Sequence, residues 1–399
     1  MAIEETDVLV VGGGPVGVST AIELRRFGVE CRVIEAEGAR PEGSRALTLH
    51  ARTLELLALR GDVDRFVEQG RRVRRIRLTT GGRRESVLDF TQIRSAFPYV
   101  LVLPQVETEK VLEGQLHEVG GAVERDHRLT ALEYSGDCVE ATTLDSKGGE
   151  ARWRAQWLVS ADGAHSAVRQ LLGAPTVGER EGHRYLGADL MVDRAMDDIR
   201  LVWSDHGFGV LVPFRDGSYR VAVSSLANTS SESKPSLSEI QKHVDRIFPW
   251  KVQLSNPTWV TSLHSGHRQL LAYRHGRVLF AGDAAHTHNP AGGQGMNIGL
   301  HDSFSLGWRL ASVVKEVAPE SLLDDYHRER HPAAARVLKS TERSMRLAQT
   351  RSPLLQLVRR HVVHRAPALV RRRITEQTAG LFDRFHVPDR EAVGNHSSS

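Results

Sequence analysis

Cysteine is nearly absent from this 399-residue chain, Cys31 and Cys138 being the only two. So low a count excludes a disulfide framework and a cysteine-built zinc site, fits a reducing compartment, and leaves any redox chemistry to a cofactor. No apolar run approaches the roughly 20 residues needed to cross a bilayer, so stable membrane insertion is not expected. Residues Met1 to Asp7 are short, acidic and followed at once by a strand, without the basic start and apolar stretch of a secretory leader. A cytoplasmic protein is the expectation. A dominant charge is lacking too: 53 Lys and Arg stand against 49 Asp and Glu, for a net charge of +4. The arginines are scattered rather than striped among aromatics, which argues against a nucleic-acid partner.

What is present is ordinary for a globular enzyme: 40% hydrophobic and 26% charged residues, in a chain long enough for two lobes. Val8 to Val11 is a β-branched and aliphatic run of the kind buried on both faces of a parallel sheet. After three glycines, Val18 to Phe27 carries apolar residues at helical spacing, Gly28 serves as the stop, and Cys31 to Ile34 supplies a second strand. This is a βαβ opening. Val100 to Leu103, Trp157 to Ser160 and Val278 to Ala281 read as further strands, each followed by a helical stretch. Segments of β character, Val73 to Phe90 and Tyr185 to about Leu263, lie between them. Ser236 and Glu239 form a capping box for a helix that ends before Pro249. Beyond about Arg343 the chain looks helical and basic, with Leu354, Leu355, Leu357, Val358 and Val362 opposite Arg359, Arg360 and Arg365. That face reads as a helix docked on the body, with a membrane-surface or partner helix as the alternative. Glu391 to Ser399 reads as a mobile tail.

The turn Gly12-Gly13-Gly14-Pro15-Val16-Gly17 has the spacing in which absent side chains let backbone amides approach a pyrophosphate at a helix N-terminus. Glu35, at the end of the second strand, stands at the offset of a ribose-binding acid. These residues suit NAD or FAD equally. A second motif decides. The stretch Gly276 to Asp302 reads GRVLFAGDAAHTHNPAGGQGMNIGLHD, and its strand delivers Asp283 at the place where a carboxylate can accept hydrogen bonds from a ribityl chain. Pro290 stiffens the loop. The amides of Gly293, Gln294, Gly295, Met296 and Asn297 open a helix whose positive end suits a flavin edge that becomes anionic on reduction.

GDAAH and GGQGMN, together with WLVSADGAHSAVRQLLG from Trp157 to Gly173, resemble the motifs of class A FAD-dependent aromatic hydroxylases, similar in fold to para-hydroxybenzoate hydroxylase and including the phenol and polyketide hydroxylases. The resemblance covers about Asp7 to Ala335. With the strand and helix pattern above, it gives an α/β fold: a Rossmann-like FAD-binding domain (1–72, 101–175 and 271–342) and an inserted β-rich substrate domain (73–100 and 176–270), followed, on the pattern alone, by C-terminal helices (343–385) and a tail (386–399). It also implies that Asp162 serves FAD and nicotinamide use, that Arg45 lies near the flavin and its phosphates, and that Gln105 lies near the ribityl and flavin. Arg45 and Pro290 become candidates for positioning flavin and substrate. Tyr326 to Arg330, YHRER, is taken as structural. His301 stands where glutamine is usual and Asn289 where serine is common. The 399 residues contain nothing resembling the family's thioredoxin-like C-terminal domain or the halogenase Trp-x-Trp-x-Ile motif.

The implied activity is hydroxylation of a phenolic or polycyclic aromatic of the kind met in secondary metabolism, with NADPH or NADH and O2 as co-substrates, through a flavin C4a-hydroperoxide. A flavin-dependent oxidoreductase without oxygen insertion and a non-catalytic FAD- or ligand-binding protein are the rival classes. Trp203, Phe208, Phe214 and Tyr219 are candidates for the substrate pocket because they lie on the strands of the β-rich lobe, with core packing the first explanation for any single one of them. His286 and His288, with His264 and His267 upstream, lack a matching carboxylate or cysteine set, so no metal site is expected. Ser166 lacks the following glycine of a nucleophile elbow and reads as a helix cap. Arg169 could pair with Asp162, hold a phosphate, or make a solvated structural pair.

Overall fold

The structure is a computed structural model that describes residues 3–40, 43, 46–61, 63–80, 84–135, 137–179, 184–224, 234–264, 266–288, 293–348 and 368–381. Its architecture is mixed α/β, built on two large sheets. The first has eight strands. Val278–Phe280, Glu150–Ser160, Ile3–Val11, Cys31–Glu35 and Val123–Arg125 lie side by side and parallel, and Arg274–His275, Cys138–Leu144 and Arg128–Ser135 join antiparallel. Val8 to Val11 are buried, as a strand covered on both faces must be. The first helix, Pro15–Arg26, packs on one face beside Gly295–Val314, and Gly28 leaves it at φ +72°.

The second sheet has seven strands in the order Leu254–His264, Arg184–Val192, Tyr219–Ser224, Gly207–Pro213, Ile199–Ser204, Arg75–Thr80 and Arg84–Asp89. Alternation along its strands separates two faces. Leu186, Ala188, Leu190, Leu211, Val221 and Val223 form a core with Ile240, Val244 and Ile247 of helix Leu237–Ile247. Ser236 Oγ caps that helix by accepting from Glu239 N at 3.1 Å, as its sequence predicts. On the opposite face Tyr185, Leu201, Trp203, Phe208 and Val210 pack with Met345 of the long helix Leu322–Ala348.

One strand expected from the sequence stands apart from both large sheets. Val100–Val102 does not join the parallel sheet; it pairs antiparallel with Thr48–Leu49 and Arg71–Val73 in a small sheet of its own. The reason is that both its faces are spoken for. Leu101 and Leu103 belong to the core under the parallel sheet, while Val100 and Val102 pack with Val73, Phe90, Ile199 and Val212 toward the seven-stranded sheet. The strand is thus a seam between two cores. No helix among the described residues is long and apolar enough to cross a membrane. The amphipathic stretch from Leu354 to Arg365 and the tail Glu391 to Ser399 lie outside the described residues.

Candidate active site

Three strands of the parallel sheet end together. Ala161 N donates to Val11 O at 2.8 Å and Ala281 N to Ser160 O at 3.0 Å, so the turns after Val11, Ser160 and Phe280 are neighbours at the carboxyl edge. That edge is where open α/β sheets take ligands. Gly12, at φ +111°, lies so close to the Asp162 turn that a Cβ would fall 2.4 Å from Ala161 O. At Gly17 a Cβ would fall 1.9 Å from Gly12 O, so the helix can begin only with glycine there. Over Gly14, by contrast, nothing stands within 4 Å. The first helix has Gly14 as N-cap and Pro15 in its first turn, and no side chain caps it, leaving first-turn N–H groups of Val16 and Gly17 without helical acceptors. Open space, donors and a positive helix end make a cradle that fits a pyrophosphate.

Glu35 ends its strand half-buried beside this turn. Its Oε2 accepts from Gly13 N at 2.7 Å and its Oε1 from Glu37 N at 3.0 Å. Each carboxylate oxygen keeps a further acceptor site, so holding the turn does not prevent holding a hydroxyl.

Asp283 follows Gly282 at the end of Val278–Phe280 and is exposed. It faces the start of helix Gly295–Val314: a Cβ on Gly295 would lie 4.0 Å from Asp283 Oδ1 and 3.4 Å from the His288 ring. The approach of this loop to the first turn depends on Val16, whose side chain sits between Gly282 and Gly299, with a Cβ on either falling within 2.8 Å and 2.5 Å of it. Further along, Ser19 and Ser303 hydroxyls meet at 2.7 Å, and a Cβ on Gly307 would fall 2.3 Å from Glu23 Cβ. Gly299, Ser303 and Gly307 recur every fourth residue and so form one helix face. That stripe of small residues lets two helices cross closely enough to bring the Gly12 turn and the Asp283 loop to one place, a signal present in the sequence.

The Asp283 loop is anchored from below. Asp302 Oδ2 accepts from Gly282 N at 3.0 Å and from His286 Nε2 at 2.6 Å, and Oδ1 accepts from Arg330 Nε at 2.8 Å. Burial works to raise the Asp302 pKa, but the charges and hydrogen bonds of His286 and Arg330 outweigh it and hold the carboxyl below its ordinary range. Tyr326 donates to Phe280 O at 2.8 Å, so YHRER holds this strand and its loop in place. His286 is thereby a hydrogen-bond partner of Asp302, and among the described residues no group of three or more His, Cys, Asp and Glu could hold a metal.

At the start of helix Gly295–Val314 the side chains hold the loop rather than point outward. Asn297 fills all four of its hydrogen-bonding positions: Oδ1 accepts from His50 N and Thr53 Oγ1, and Nδ2 donates to Thr48 O and Gly293 O. His301 Nε2 donates to Thr53 Oγ1 at 3.0 Å. Met296 lies in the core, and Gly293 sits at φ +62° against Thr48 Oγ1. Gln294, the N-cap, sends its Nε2 to Thr378 O at 2.9 Å instead of capping its own helix. What this loop can offer a ligand is therefore its first-turn backbone amides. Arg45, Asn289 and Pro290 lie outside the described residues.

Gln105 Oε1 accepts from Ala46 N at 3.1 Å, and Gln105 Nε2 donates to Glu109, which fixes the residue following Arg45. Both Asp162 oxygens are engaged by the chain, Oδ1 by Ser160 Oγ at 2.6 Å and Oδ2 by Val168 N at 3.2 Å. Ser166 caps the next helix by accepting from Arg169 N at 3.0 Å. Arg169 is buried and donates to Ala284 O at 2.9 Å and Ala164 O at 2.6 Å, tying two of the converging turns together.

Of the pocket candidates, Trp203 and Phe208 lie on the face of the seven-stranded sheet that packs with Met345, and Phe214 packs in the seam core with Ala51 and Val212. Tyr219 lies on the wrong face. It belongs to the core under helix Leu237–Ile247, and its hydroxyl joins Met196, accepting from N at 2.8 Å and donating to O at 3.2 Å. Period-two alternation puts Tyr219 opposite Arg220, and it is Arg220 that lies on the other face, 4.2 Å over the ring of Trp259.

Comparison with known proteins agrees with this geometry. A family model described as FAD binding domain matches residues 5–341. The uncharacterized aromatic compound monooxygenase YhjG of Bacillus subtilis is 37% identical over 86% of this chain and 68% of its own length. Rifampicin monooxygenase of Streptomyces venezuelae is 37% identical over 89% of this chain and 74% of its own. Among solved structures, the anhydrotetracycline hydroxylase OxyS of Streptomyces rimosus superposes with a TM-score of 0.80 at 31% identity, over 96% of this chain and 77% of that one. The chain thus spans about two thirds to three quarters of these relatives' lengths. On that breadth of match, with the Gly12, Asp162 and Asp283 turns meeting at one sheet edge, the chain belongs to the FAD-binding family of class A aromatic hydroxylases.

Proposed function

We propose that this chain is an NAD(P)H-using, FAD-dependent monooxygenase that places one oxygen atom of O2 on a phenolic or polycyclic aromatic small molecule. The observation that carries the reading is the meeting of the Gly12, Asp162 and Asp283 turns, with the uncapped helix at Gly295 beside them. When bound, FAD supplies acceptance of a hydride from the nicotinamide and activation of dioxygen. The residues do the rest. The amides of Val16 and Gly17 would hold the pyrophosphate, Glu35 the adenosine ribose and Asp283 the ribityl hydroxyls. First-turn amides at Gly295 to Asn297 would stabilise negative charge on the flavin edge.

The substrate is proposed to lie against the face of the seven-stranded sheet opposite helix Leu237–Ile247, where Leu201, Trp203 and Val210 are half-buried and apolar. Such a wall orients an aromatic ring and keeps water from the reacting oxygen. NADPH is the preferred reductant on the family resemblance. Arg45, Pro290, Gln105 and Asp162 retain their proposed places around the flavin, the last two as residues that fix its loops.

The test is turnover of the FAD-loaded protein with NADPH or NADH, isotopically labelled dioxygen and a panel of phenols and polycyclic aromatics. Ligand-stimulated NAD(P)H oxidation with label in the product is expected. NAD(P)H consumption with no label in any product overturns the reading in favour of an oxidoreductase without oxygen insertion. Full FAD occupancy with no turnover at all overturns it in favour of a binding protein.

A further inference from the structure

The helix Ala368–Thr378 lies beyond the residues matched by the family model, yet its last turn reaches the flavin loop. Thr378 O accepts from Gln294 Nε2 at 2.9 Å and also from His50 Nδ1. The next carbonyl, Ala379 O, accepts from Arg52 N at 3.1 Å, an amide in the first turn of helix Ala51–Arg60 that no side chain caps. Two helix N-termini, at His50 and at Gln294, therefore meet the carbonyl end of a third helix. The signs of the partial charges match at both contacts. Ala379 itself is fully buried with Ala51, Phe90, Val212 and Phe214, and a Cβ on Gly380 would lie 3.2 Å from Arg52 Cβ and 3.5 Å from the His301 ring.

Burial lowers the His50 pKa to about 4, so the ring is neutral near neutral pH. A carbonyl can only accept, so Nδ1 carries the proton. Gln294 is the N-cap of the loop helix but spends its side chain on Thr378. Its orientation is thus set by a residue 84 positions away rather than by its own helix.

We propose that residues 368–381 are a latch, in which the Thr378 and Ala379 carbonyls hold His50, Arg52 and Gln294 and thereby position the amides of Gly295 to Asn297 toward the flavin. The inference rests on the reading of that loop as the flavin loop. It makes Gln294 a positioning residue that acts through the backbone. With the latch released, the loop is free to depart from its bound geometry, FAD binds more weakly, the bound flavin's reduction potential falls, and more reducing equivalents escape as hydrogen peroxide.

The experiment uses the full chain. Gln294→Leu removes the donor to Thr378 at similar size, and Ala379→Arg forces a cation into the buried contact facing two helix N-termini. Leu369→Ser, on the exposed side of the same helix, is the control. Amide hydrogen exchange at Arg52 and Ile298, whose N–H groups donate to Ala379 O and Gln294 O, is expected to quicken about tenfold in both variants, and the FAD dissociation constant to rise about tenfold, the scale of one lost hydrogen bond. Exchange in the parallel sheet should stay unchanged, which separates positioning from general loosening. Unchanged exchange at Arg52 and Ile298 in Gln294→Leu overturns the latch, and that variant decides alone if Ala379→Arg does not fold. Should the wild-type protein bind no FAD, the reading of the site fails, while hydrogen exchange in the apoprotein still decides whether the latch exists.

Discussion

Asp302 and Arg330 form an ion pair with neither side chain exposed, the guanidinium Nε lying 2.8 Å from Oδ1. A charge pair withdrawn from water gains little over a well-packed apolar pair, but removing one partner strands the other. Asp302→Ala would leave Arg330 charged and buried, and would free Gly282 N and His286 at once. A loss of about 3–5 kcal/mol in denaturant unfolding is expected. Asp302→Leu with Arg330→Met should recover much of that loss, while FAD binding stays weakened because the Asp283 loop has lost its anchor.

Two glycines at helical positions separate packing from propensity. At Gly299 a Cβ would meet Val16 Cγ2 at 2.5 Å and Gly282 Cα at 3.2 Å, the second being backbone that cannot swing aside. Gly299→Ala should cost about 1–3 kcal/mol and weaken FAD binding by pushing the Gly12 turn from the Asp283 loop. At Gly114, within helix Gln105–Glu118, nothing stands within 4 Å, so Gly114→Ala should stabilise by up to about 1 kcal/mol and leave FAD affinity alone. Chemical denaturation and flavin titration of the two variants make the comparison.

What could be read from sequence was what is local. Strand, glycine turn and helix start fall within about twenty residues of one another at Gly12 and again at Asp283, and their chemistry follows from that order. Faces were harder. Alternation along Tyr219–Ser224 shows that Tyr219 and Arg220 oppose each other, but only the docking of helix Leu237–Ile247 decides which side is core. Motif residues also proved to divide their labour in ways spacing does not show: Asn297 spends its whole side chain on Thr48, His50, Thr53 and Gly293, and His286 on Asp302. Thr378 carries no motif at all, since its contribution is a carbonyl whose place depends on the tertiary fold.

Asp283 is exposed, and its carboxylate faces the uncapped helix start at Gly295. Substitution of an exposed side chain away from packing contacts changes stability by less than about 0.5 kcal/mol. Charged hydrogen bonds to ribityl hydroxyls are worth about 1.5–3 kcal/mol, which is roughly ten- to hundredfold in affinity. Asp283→Ala should therefore unfold at nearly the wild-type denaturant concentration yet purify with little flavin. A variant with unchanged flavin content, or one that loses flavin only because it unfolds, would remove Asp283 from the ribityl site.

His50 ties acid sensitivity to the same loop. Burial is the chief cause of its lowered pKa, the charge of a protonated His301 would add to it, and the Thr378 carbonyl opposes it. The group titrates near its ordinary value when unfolded and at about 4 when folded, so the unfolded chain binds more protons between those values. Stability from this group is then complete above the unfolded pKa and falls as pH drops through the window toward the folded one. Between about pH 7 and about pH 5 the loss should approach 2 kcal/mol, roughly 1.4 kcal/mol for each pH unit below the unfolded value. His50→Gln keeps a side-chain donor for Thr378 but cannot titrate, so its stability should fall less over the same range. Unfolding curves of the two proteins at both pH values give the difference directly. Equal slopes would show that His50 takes up no proton in this window, and hence that its ring is not held neutral by the packing around Thr378.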